Sequence, residues 1–87
     1  MTVSVWDTYV KRTDGKLMHF DILVPSTLND ELIILNFGKT YLENKRFKTE
    51  NISIKACNFC HIERATDTVL QDLKHKRFSI IELENCH

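Results

Sequence analysis

The chain reads as a single α+β domain of order ββαβαβ. Three observations predict it: apolar and polar residues alternate on either side of Asp14-Gly15, two later stretches place apolar residues near 3.6-residue spacing, and short β-branched runs precede and follow the second stretch. The whole chain, residues 1–87, is expected to fold as one unit, because it holds only two glycines and one proline and has no repeat or low-complexity linker.

Val3 and Val5, with Tyr9 further on, mark a first strand over Thr2 to Val10, and Leu17 to Val24 resumes the pattern after the turn. Asp14-Gly15 supplies the positive-φ positions of a tight antiparallel hairpin. Read as a two-residue turn, it pairs Thr13 with Lys16 and sets Val10 opposite His19, Thr8 opposite Asp21 and Trp6 opposite Leu23. Pro25 closes the second strand. Ser26 or Thr27 can then cap a helix of roughly 17 residues, with Asp30 and Glu31 near the positive end of its dipole. Leu28, Leu32, Leu35 and Leu42 form its apolar stripe. Gly38 inside it costs about 1 kcal/mol relative to alanine, which marks either close backbone packing or a weak point.

Ile52 to Ala56 alternates as a short third strand, Ile62 to Lys76 repeats Ala65, Val69 and Leu73 at helical steps, and Phe78 to Leu83 closes the chain as a fourth strand. If strands three and four are neighbours, the intervening helix is a crossover that makes them parallel. The expected architecture is therefore a four-stranded mixed sheet with an N-terminal antiparallel hairpin and two packed helices. With both helices on one face, the other would expose Trp6, Val10, Leu17 and Leu23 beside His19 and Asp21, and a homodimer would cover that patch.

Twelve basic residues balance twelve acidic ones, so no global field draws in nucleic acid. No apolar run approaches the roughly 18 residues of a membrane span, and no basic-then-apolar leader opens the chain, so a cytoplasmic protein is expected. Three cysteines are odd in number and too few for a disulfide framework, which favours metal or redox chemistry.

The chemistry-bearing run is Cys57-Asn58-Phe59-Cys60-His61, with Cys86-His87 at the end of the chain. A parallel crossover would bring both pieces to one edge of the sheet, where Cys57, Cys60 and Cys86 with one histidine, His61 foremost, match the donor set of a zinc ion. The competing reading is thiol–disulfide chemistry by Cys57 and Cys60 at a strand-to-helix junction, Cys57 attacking. Covalent haem attachment would need export, for which there is no leader. The plain alternative makes Cys57 and Cys60 small buried hydrophobes in a metal-free, partner-binding domain.

A second candidate site is polar. His19 and Asp21 share one side of their strand and could orient a general base or a metal ligand. The two-residue turn puts Asp7 on the opposite face with Val5, Tyr9, Phe20 and Ile22, where a carboxylate is unexpected and needs donors. No Gly-rich phosphate loop, serine-nucleophile motif or usefully spaced carboxylate pair supports an enzyme.

Taken in order, Asp7-Thr8-Tyr9-Val10, Asp14-Gly15, Met18-His19-Phe20-Asp21, the Cys57-x-Phe59-Cys60-His61 block with Glu63, and a late cysteine resemble the bacterial family known as domain of unknown function 2024. The resemblance covers nearly the whole chain and implies a small bacterial α/β protein with no established activity. His87, beyond Cys86, departs from the family pattern. A non-catalytic binding module is the function expected.

Overall fold

The hairpin turn sets the register of everything that follows. In the computed structural model, which describes residues 1–87, strand β1 (Thr2–Lys11) and strand β2 (Leu17–Pro25) are joined through an Arg12–Lys16 pair that closes a loop of three residues, Thr13, Asp14 and Gly15, not two. Arg12 N–H donates to Lys16 O at 2.8 Å, Gly15 N–H donates to Arg12 O at 3.0 Å, and Gly15 takes the left-handed φ of 92°. A three-residue loop with glycine in that position is a standard hairpin solution. It shifts the pairing by one residue, so Val10 faces Met18, Thr8 faces Phe20, Asp7 faces Asp21 and Val5 faces Leu23.

Helix α1 (Glu31–Glu43) starts later than Ser26 or Thr27. The Asp30 carboxylate accepts from the N–H groups of Leu32 and Ile33, at 3.0 and 3.3 Å, and is the N-cap. The Ser26 hydroxyl is already engaged with that of Thr2 at 2.7 Å. Residues Ile52 to Ala56 are not a strand: Ile52 is buried in the core and Ile54–Ala56 is a 3-10 turn. Strand β3 (Cys57–Arg64) therefore contains the whole Cys-x-x-Cys-His run. Helix α2 (Asp67–Lys76) is capped by Thr66, whose hydroxyl accepts from Val69 N–H at 3.3 Å, and ends where Arg77 turns left-handed. Strand β4 (Ser79–Glu84) closes the ββαβαβ order.

The sheet order is β3-β1-β2-β4, and every pairing is antiparallel. The α+β class holds, but the sheet is not mixed. β3 and β4 each add to a free edge of the central hairpin, and a helix linking two strands that are not neighbours imposes no parallel relation on them. The helices lie on opposite faces. α1 and Ile52 cover Trp6, Val10, Met18, Phe20, Ile22 and Val24, while α2 packs Val69 and Leu73 on Val3, Val5 and Leu23. Trp6, Val10 and Leu23 are thus buried within the chain, and of the four residues expected to form an apolar patch only Leu17 is exposed. Full burial of a side chain such as Phe20 is worth about 1.5–3 kcal/mol.

Gly38 is a close-packing glycine. A Cβ there would lie 3.0 Å from the Ile22 Cδ1 and 3.1 Å from that of Ile52, so the missing side chain lets α1 approach the sheet. On the other face the decisive quantity is length. Ten residues of α2 span about 15 Å, whereas ten residues of β1 span about 33 Å. α2 therefore roofs one end of its face and leaves the other end open.

Candidate functional site

The open end begins one residue pair beyond the apolar Val5–Leu23 pair. Alternation along β1 and β2 puts Asp7 and Asp21 directly opposite each other, with Tyr9 and His19 as the next pair on the same side. Asp7 consequently shares its face with His19 and Asp21, not with Phe20 and Ile22. Its donor is His19, whose Nε2 meets the Asp7 carboxylate. The Tyr9 ring stacks on the His19 imidazole with centroids 4.1 Å apart and planes 10° from parallel, which fixes the orientation of the histidine. One ligand atom from each of Asp7, His19 and Asp21 lies within 4.8 Å of the others, and all three residues are half-buried.

The electrostatics are those of crowded negative charge. Burial first, and then the charge of Asp7, holds the Asp21 carboxyl above the usual carboxylate range. The Tyr9 phenol is raised by desolvation and then by Asp7, Glu84 and Asp21. Glu84, paired with His19 from β4, adds a further carboxylate. The arrangement offers one imidazole nitrogen and several carboxylate oxygens to a cation.

The cysteine constellation does not converge. β3 and β4 occupy opposite edges of the sheet, three strand spacings or roughly 14 Å apart. Cys57 is buried against α1, where its sulfur accepts from the Thr8 hydroxyl at 3.5 Å and burial pushes the thiol up, so it is not an attacking thiolate. Cys86 is buried at the far edge, its thiol directed at the carbonyl oxygens of His19 and Glu84, 3.3 Å from each. Cys60 and His61 are exposed on β3. Strand residues three apart point to opposite faces, so Cys57, Cys60, His61 and Cys86 form no four-ligand cluster, and no disulfide links the thiols.

Arg12 carries a role that the sequence did not suggest. Its buried guanidinium donates to the carbonyl oxygens of Asn85 and His87 at 3.1 and 2.8 Å, pairs with Asp14 at 2.8 Å, and lies 3.7 Å from the centre of the Phe47 ring. It clamps the C-terminal tail and seats Cys86 in the core. A surface cleft of about 610 Å³ beside Tyr41, Asp72, Lys76 and Phe78 lies along β4 on the α1 side, and its Lys45 and Glu82 already pair with each other.

These features define a class: a two-faced α+β domain whose short second helix leaves a carboxylate–imidazole cluster at the open end of an antiparallel sheet. The family model described as domain of unknown function (DUF2024) matches residues 1–83, and the chain belongs to that family. The solution NMR structure of protein NE1680 from Nitrosomonas europaea is similar across 100% of both chains, at 32% identity and a TM-score of 0.79. No curated protein matches.

Proposed function

We propose that the chain is a small binding module that holds one divalent cation of the zinc class between Asp7, His19 and Asp21. The observation that supports this most is the direct opposition of Asp7 and Asp21 on neighbouring strands. Like charges so placed destabilise a sheet, and here burial adds to the cost by keeping the Asp21 carboxyl above its usual range. A bound dication removes that repulsion. One imidazole and two carboxylates suit zinc and its first-row neighbours, whereas hard cations such as magnesium prefer oxygen alone. Tyr9, stacked on the ring, restricts its orientation. Three protein ligands leave coordination positions for water or for a donor group on a partner.

The test is a titration of chelator-treated protein with zinc, manganese and magnesium, reading thermal stability and the ring resonances of His19. The reading predicts one zinc per chain, a rise in Tm that saturates, and perturbation of His19 ahead of the other three histidines. Zinc that instead perturbs His61 while leaving His19 unmoved sinks it.

A further inference from the structure

Neighbouring residues on a strand project to opposite faces, so Cys60 and His61 should be separated by their own backbone. β3 breaks that rule with a bulge: Trp6 pairs with Phe59 and Val5 with His61, which leaves Cys60 as the extra residue. A bulge re-aims a side chain, and the Cys60 sulfur lies 3.1 Å from His61 Nδ1. Alternation then resumes and brings Glu63 to the same side, its Oε1 2.8 Å from His61 Nε2. An ionised carboxylate only accepts, so Nε2 carries a ring hydrogen, and the imidazole in its neutral form then turns its Nδ1 lone pair toward the thiol.

We propose that Cys60, His61 and Glu63 form a thiol-exchange site whose substrates are the disulfides of small thiols. Cys60 is the nucleophile, His61 the base, and Glu63 a positioning residue that fixes the tautomer of His61. In the reaction His61 Nδ1 takes the Cys60 proton and the sulfur attacks one sulfur of the disulfide. The substrate S–S bond breaks as the Cys60–S bond forms, and the departing thiolate takes the proton back from His61. One disulfide and one protein thiol become one mixed disulfide and one free thiol, with no further oxidant.

The surroundings favour this substrate over an acyl group. The site lies open on an edge strand, with the His61 and Glu63 side chains 52% and 46% exposed. Disulfide exchange needs only in-line access to sulfur. The other two thiols are buried, Cys57 on the opposite face and Cys86 at the far edge, so neither can resolve the adduct. The site is monothiol, and its mixed disulfide persists until a second external thiol removes it. Asp21 of β2 lies on the same face and interacts electrostatically with His61.

The test uses the full chain in chelator, which keeps it independent of the cation reading, with hydroxyethyl disulfide as the probe and intact mass plus peptide mapping as the readout. One adduct per chain is expected, on Cys60, and C60S abolishes it. His61→Asn should slow the reaction about a hundredfold at pH 7, and Glu63→Gln by a smaller factor. Both variants should regain the parent rate at pH 10, where hydroxide removes the thiol proton. An adduct on Cys57 or Cys86, or a His61→Asn rate equal to the parent at pH 7, overturns the assignment. So does a His61→Asn variant that is slow at both pH values, since it has lost access and not a base.

Discussion

Replacing Asp21 with asparagine should stabilise the metal-free protein and destabilise it relative to the parent once zinc is present. The ligand atoms of Asp7 and Asp21 lie within 4.8 Å. Two unit charges at that separation repel by about 0.9 kcal/mol in water and up to four times that at an effective dielectric of 20. Both side chains are partly exposed, so the lower end applies, and the gain is about 1 kcal/mol, or roughly 5 °C in Tm for a domain of this size. The pH dependence follows from the raised Asp21 carboxyl. The folded chain binds that proton more tightly than the unfolded chain does, so parent stability is lost as pH rises from the ordinary aspartate value through the raised one. Asp21→Asn and parent should therefore unfold together near pH 3 and separate through the range above pH 4. Zinc at a hundred times its dissociation constant stabilises the parent by about 2.7 kcal/mol, and the variant, missing a ligand, gains less. Differential scanning calorimetry at pH 3 and pH 7, with and without zinc, reads all four states. A metal-free Asp21→Asn that melts below the parent at pH 7, or an equal zinc response in both, refutes the reasoning.

Gly38→Ala should cost about 1 kcal/mol in urea unfolding. The helix-propensity gain of about 1 kcal/mol is outweighed by displacing two buried isoleucine methyls that already sit 3.0 and 3.1 Å from the new Cβ; a more stable variant would make the glycine a weak point after all. Arg12→Ala should destabilise the fold by about 2–3 kcal/mol, because two tail carbonyls lose their donor and Phe47 its covering group. The same variant should make Cys86 reactive toward an alkylating reagent that spares it in the parent, and unchanged labelling would show that the tail is held by other contacts.

The local elements were legible because they are encoded locally. Alternation gave the hairpin, and the recurrence of Val69 and Leu73 gave α2. The register was not, because Asp14-Gly15 fits two-residue and three-residue loops equally well, and the two differ by the one residue that decides which side chains meet. The sequence did hold a signal that chooses between them. A two-residue turn drives the Asp7 carboxylate between Phe20 and Ile22, whereas a three-residue turn pairs it with Asp21 and pairs Val5 with Leu23, Trp6 with Ile22 and Val10 with Met18. Keeping every carboxylate off the inward face would have found the Asp7–Asp21 pair.

The cysteines misled for a different reason. Cys-x-x-Cys spacing suggests a shared ion only where the backbone curls, and β3 is extended, so the two sulfurs diverge. Strand order is set by which edges of the hairpin remain free, and nothing near residues 57 or 86 records it. The bulge at Cys60 is equally unwritten, since it exists only against β1. Yet both chemically dense clusters lie on the face that α2 half covers. α2 links the β3 edge to the β4 edge across one end of the sheet, packing Val69 and Leu73 on Val3, Val5 and Leu23 and reaching none of positions 7, 19 and 21. The capping of α2 by Thr66 and its termination at left-handed Arg77 are therefore what leave that end of the sheet free to carry charge.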